Sequence, residues 1–106
     1  MTHAFTPVDD AATGLPPKTL AALRRVLSGF AGVEKAVLYG SRATGRYREG
    51  SDIDLCLFGE ITSTRLLRIE QALDALGLPY KIDLSAFHLI ESEPLKASIL
   101  REGRLL

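Results

Sequence analysis

The sequence has one cysteine, no excess of either charge and no long apolar run, and each shortage removes a class of function. In a chain of 106 residues the single cysteine, Cys56, has no internal disulfide partner. It lies inside an apolar run, where it reads as a small core residue. Thirteen basic and thirteen acidic side chains give a formal net charge of zero, which speaks against a protein built to hold nucleic acid, since that task calls for a basic surplus. No stretch approaches the ~20 apolar residues of a membrane span. The segment Met1 to Thr13 lacks the basic start and apolar centre of a signal peptide, so the expected location is the cytoplasm. The two histidines, His3 and His88, stand far apart and read as ordinary surface or core-edge residues rather than metal ligands.

What remains is an ordinary globular composition, 46% hydrophobic and 25% charged, in a length that supports one domain with one modest core. The expected domain is residues 1–106, with 1–14 a loosely ordered lead-in. Pro16-Pro17 opens a helix, and Leu20, Leu23, Leu27 and Phe30 recur at helical spacing, which predicts a helix from Pro17 to about Ser28. Ala36 to Tyr39 is a short apolar strand stopped by Gly40. Ser41 to Thr44 forms a helical turn broken at Gly45, and the exposed loop 46–51 turns at Gly50-Ser51. A second strand is expected from about Asp52 to Phe58. Leu66, Ile69, Leu73 and Leu76 mark an amphipathic helix over Thr64 to Leu76, with Thr62 or Ser63 as its cap and Gly77 as its end. Tyr80 to Ser85 is the third strand. Ser92 caps a last helix that turns Leu95 and Ile99 inward and stops at Gly103. The apolar tail Leu105-Leu106 is either a docked end or part of a contact surface. This order predicts an α/β (α+β) domain with a short three-stranded mixed sheet and about four flanking helices.

The chemistry concentrates around one segment. Gly40-Ser41 is followed by ten residues rich in arginine and glycine, then by Asp52-Ile53-Asp54 at the head of an apolar strand. Paired carboxylates at such a place repel each other and lose hydration. A divalent cation supplies a reason for them, because Mg²⁺ takes hard oxygen ligands from carboxylates and substrate phosphates. The Gly-Ser turn offers a backbone that phosphate can approach closely. Alternation along the strands puts Asp52, Asp54 and Cys56 on one face, with Ile53, Leu55 and Leu57 turned to the core. In the third strand Lys81, Asp83 and Ser85 oppose Ile82 and Leu84. If the two strands are neighbours, Asp83 joins Asp52 and Asp54 in a three-acid patch, the arrangement that two-metal nucleotide chemistry requires. Arg42, Arg46 and Arg48 crowd the same segment and fit a nucleoside triphosphate. Ser51 is read as shaping the turn ahead of Asp52, and Tyr47 as either a base-stacking or a loop-packing residue.

These residues carry a resemblance. Leu38-Tyr39-Gly40-Ser41-Arg42-Ala43-Thr44-Gly45, with Gly50-Ser51-Asp52-Ile53-Asp54-Leu55, resembles the signature of the DNA polymerase β-type nucleotidyltransferase superfamily. The small size and the Ile99 to Gly103 ending are similar to its minimal nucleotidyltransferases, the MNT group, often paired with a HEPN-domain protein as a toxin–antitoxin system. The resemblance implies that Gly40, Ser41, Arg42, Arg46 and Ser51 bind the nucleotide. It implies that Asp52 and Asp54 hold Mg²⁺ in a two-metal site and that Asp83, the third acid of catalysis, either helps to bind the metal or deprotonates the incoming hydroxyl. Thr44 departs from the usual pattern, where many members have arginine. The function implied is transfer of AMP from ATP to a hydroxyl of a HEPN-domain partner, with homo- or hetero-oligomers possible and no stable nucleic-acid or membrane binding. The alternative is a non-catalytic antitoxin that neutralises its partner by binding.

Overall fold

The computed structural model describes residues 3–106. Four helices and four strands alternate along it: α1 Pro17–Ser28, β1 Val33–Tyr39, α2 Ser41–Thr44, β2 Ile53–Gly59, α3 Ser63–Asp74, β3 Ile82–Ala86, α4 Glu93–Glu102 and β4 Arg104–Leu105. The start signals act as read. Pro17 occupies the first turn of α1, the Thr62 hydroxyl accepts from the Arg65 amide at 3.1 Å to cap α3, and the Ser92 hydroxyl accepts from Leu95 at 3.3 Å to cap α4. The α3 helix ends at Asp74 with Ala75 as its cap, ahead of Gly77, because the Leu76 and Gly77 amides close tight turns back to Leu73 and Asp74.

The sheet runs in the order β3-β2-β1-β4. The β1 strand pairs antiparallel with both β2 and β4, while β2 and β3 are parallel. One face carries Leu38, Ile53, Leu55 and Leu57, packed under Leu20, Leu23 and Leu27 of α1 and Ile69 and Leu73 of α3. Burying side chains of this size contributes about 1.5–3 kcal/mol each, so this layer dominates the core. The opposite face is covered as well. Val37, Tyr39, Cys56 and Ile99 form a second buried cluster with Phe5, Phe58, Phe87 and Leu95 against it. That explains why β2 reads as an almost continuous apolar run. It also narrows the expected polar face, since only the Asp52–Asp54 end of β2 escapes the cover. Cys56 is fully buried, and burial pushes its thiol up to about 11.

One expectation is corrected. The sheet has four strands, not three, because Gly103 ends α4 in an extended conformation and the next two residues pair with β1. The apolar tail is thereby a docked one, with the Leu106 amide donating to Ala36 O at 2.8 Å. The lead-in is also held in place over its described part, Met1 and Thr2 lying outside the described residues. Pro7 bridges to Leu105, a 3-10 turn spans Asp10–Thr13, and Thr13 is fully buried. Arg24 ties this segment to α1 by pairing with Asp10 at 2.7 Å and donating to Leu106 O at 2.8 Å. Among the described residues, no helix is long and apolar enough to cross a membrane.

Candidate active site

Register assembles the site. Tyr39 of β1, Asp54 of β2 and Asp83 of β3 are directly paired across the sheet, so their side chains share one face in one row. Asp52 precedes β2 by one residue and is exposed, as is Asp83, while Asp54 is half-buried. Burial raises the Asp54 carboxyl above its usual value, and the charges of Asp83 and then Asp52 raise it further. Asp54 therefore feels the charge of both other acids foreseen in the sequence. Tyr39 was not foreseen. Burial lifts its phenol above the ordinary value, a hydrogen bond with Ser85 opposes this, and the charges of Asp83 and Asp54 add to the rise. Its place opposite Asp54 depends on strand register, which no local pattern in β1 reveals.

The Gly-Ser turn closes directly on this row. Gly40 has φ 73° and ψ −155°, a region open essentially to glycine alone. A Cβ at this position would collide with Asp54 Oδ2 and lie 3.3 Å from its Cγ. The two halves of the sequence signature thus meet in space at van der Waals contact. The turn then enters α2, whose Ala43 and Thr44 amides return to Gly40 O.

The basic residues separate. Arg46 stands at the rim, exposed, its Nε donating to the Thr44 hydroxyl at 3.1 Å and its guanidinium 3.6 Å from Glu102 of α4. Ser51 shapes the loop as read: its hydroxyl accepts from the Arg48 amide at 2.8 Å. Arg42 is placed differently from Arg46. Arg42 is buried, and its guanidinium donors go to the backbone carbonyls of Thr13 and Ser51.

Three carboxylates offer oxygen donors of the kind a hard divalent cation takes, and the mutual repulsion that lifts Asp54 is what such a cation relieves. The residues fit Mg²⁺ in that sense, although among the described residues no three His, Cys, Asp or Glu side chains already converge as a ligand set.

A stability test follows from the sign of the Asp54 shift. A raised folded-state pKa means that protonated Asp54 favours folding below the unfolded value near 3.8 and that this contribution is lost as pH rises through the folded value. At pH 7 the ionised carboxylate therefore weakens the metal-free fold. Replacing Asp54 by Asn should raise the melting midpoint of the metal-free chain by roughly 1–3 °C, with the gap to the parent closing as pH falls through the folded value and closed below the unfolded value near 3.8. Added Mg²⁺ should stabilise the parent and leave the variant unmoved. Calorimetry across pH with and without Mg²⁺ reads both.

The sequence profile of the family described as "Polymerase beta, Nucleotidyltransferase" matches residues 22–106, a span that holds the turn, all three acids, Arg42 and Arg46. The chain belongs to the polymerase β nucleotidyltransferase family. Among solved structures it is similar to a minimal nucleotidyltransferase, at 31% identity over 89% of this chain and 99% of that one, with a TM-score of 0.68. Two further likenesses, at lower identity, are of fold. One is to a toxin–antitoxin structure with AMP-PNP, at 22% identity, TM-score 0.65, and coverage of 86% of this chain and 72% of that one. The other is to a tri-AMPylated HEPN toxin in complex with MNT antitoxin from Shewanella oneidensis, at 16% identity, TM-score 0.58, and coverage of 82% and 70%. No curated protein matches the sequence.

Proposed function

We propose that this chain is a Mg²⁺-dependent nucleotidyltransferase that moves AMP from ATP to a hydroxyl group of a HEPN-domain protein, as the antitoxin of such a pair. The observation that carries the reading is the contact of the Gly40 turn with Asp54 in the row that also holds Asp83, in a chain of nucleotidyltransferase family and fold. Asp52, Asp54 and Asp83 would hold Mg²⁺, which when bound supplies charge neutralisation at the phosphates. The backbone of Gly40-Ser41 would cradle the triphosphate, with Arg46 at the rim. Asp83 would accept the proton of the acceptor hydroxyl as its oxygen bonds to the α-phosphorus. The bond from the α-phosphorus to the bridging oxygen breaks, and pyrophosphate leaves with the electron pair. Positioning and electrostatics would provide most of the acceleration.

The partner is inferred from likeness: similar folds occur in a toxin–antitoxin structure with AMP-PNP and in a complex of an MNT antitoxin with an AMPylated HEPN toxin. A net charge of zero supports a protein acceptor over a long polyanion. Co-expression with a HEPN-domain ribonuclease, followed by intact-mass and peptide mass spectrometry, should find AMP on a hydroxyl side chain of the partner and loss of its ribonuclease activity. Labelling of an aminoglycoside or an RNA 3′ end, with none on the protein, would overturn the acceptor. Protection without any added AMP would mark the chain as a module that blocks by binding.

A further inference from the structure

We propose that Arg42 is a positioning residue: it fixes the chain immediately ahead of Asp52 against the short helix that follows the Gly40-Ser41 turn, and so sets the spacing between the two halves of the site. This rests on the nucleotidyltransferase reading above and adds to it a residue that acts without touching substrate.

An arginine that grips phosphate must present its guanidinium to the ligand. Arg42 is only 2% exposed. Its Nε and one terminal nitrogen donate to Ser51 O at 3.1 and 2.9 Å, and the other terminal nitrogen donates to Thr13 O at 2.9 Å. The guanidinium carbon lies 5.3 Å from the Tyr47 ring centre and 5.0 Å from that of Tyr80. A charge held this way, among two rings and neutral carbonyls, is costly to desolvate and poorly explained as packing. Its geometry has a specific output. The Ser51 carbonyl and the Asp52 amide belong to one rigid peptide plane, so two hydrogen bonds to that carbonyl fix the orientation in which the chain enters Asp52.

The rest of the connection needs such a tie. Between α2 and β2 lie Gly45 and Gly50, both at positive φ with open space around them, and most of the side chains from 45 to 50 are exposed. The Ser51 and Arg48 turn braces the loop locally, but Arg42 links it to α2 and, through Thr13 O, to the 3-10 turn of the lead-in. Tyr47 closes one side of the arrangement by packing over Gly14, where a Cβ would fall within its ring. Lysine cannot replace this, because a point ammonium neither forks to two carbonyls nor stacks between rings.

The experiment compares R42K and R42M with the parent, reading kcat for AMP transfer, the Kd of AMP-PNP, and hydrogen exchange of the amides from 48 to 54. Both variants should lose about 30-fold or more in kcat with AMP-PNP affinity within about threefold of the parent, and loop exchange should rise while β1 stays protected. Near-parental kcat in R42K, or a tenfold loss of AMP-PNP affinity with kcat kept, would overturn the inference in favour of a phosphate contact. Should R42M fail to fold, Y80L removes one stacking ring and keeps the charge. It should lower kcat by about threefold to tenfold at unchanged affinity, and full activity there would also overturn the proposal. If the parent transfers nothing, the functional reading fails on its own, and exchange still decides: a loosened loop supports the positioning role, and an unchanged one removes it.

Discussion

Replacing Asp52 and Asp54 together by Asn should abolish nucleotide transfer while leaving a folded protein. The expected loss is at least about 10³-fold in kcat, corresponding to ~4 kcal/mol of transition-state stabilisation, because the change removes two of the three carboxylates that would hold Mg²⁺. Folding should survive for a physical reason. Asp52 is exposed and Asp54 is half-buried, and the burial that raises the Asp54 carboxyl is a burden on the metal-free fold, not a support. The variant should therefore melt no lower than the parent without Mg²⁺. Steady-state transfer assays paired with melting curves check both halves. A double variant that transfers AMP at the parental rate would remove these carboxylates from the mechanism.

Gly40→Ala should be the most damaging single methyl in the chain for function. Its backbone conformation costs a side-chain-bearing residue about 1–3 kcal/mol, and the added methyl would be driven into the Asp54 carboxylate. Relief requires either the turn or the carboxylate to move. The midpoint should fall by roughly 5–15 °C, and kcat measured well below the new midpoint should fall at least ~100-fold, the effect of a displacement of about 1 Å at a reacting centre. Activity that tracks only the folded fraction would mean that turn and carboxylate do not cooperate.

Local signals were legible in the sequence where periodicity, caps and turn residues acted within a few positions. Leu20, Leu23 and Leu27 located α1, Thr62 and Ser92 located two helix starts, and alternation in Asp52 to Phe58 set the direction of each β2 side chain. Family and fold were also within reach, since Gly40-Ser41 and Asp52-Ile53-Asp54 stand at a spacing that folding brings together. What stayed hidden depends on partners distant in sequence. The two-residue strand β4 has no period to detect and exists only because β1 offers an edge. The lead-in is mixed in composition and holds turn residues, so nothing local marks Thr13 as buried. Arg42 beside a Gly-Ser turn has the composition of a phosphate ligand, and only the arrival of Tyr80 and Thr13 O from elsewhere turns it inward. Tyr39 joins the acids through register alone.

The pairing of Thr6 to Val8 with Leu105 has a consequence for the order of folding. Both sides of this ribbon must be present before it can form, and it closes the longest loop in the chain, which makes it a late event with a high entropic threshold. Until β4 arrives, one side of β1 is an open edge, with Val37 and Leu38 ready to template another chain. Before β4 docks, this small domain is thus most prone to self-association along that edge. The lead-in and β4 then act together as the clasp that ends that interval.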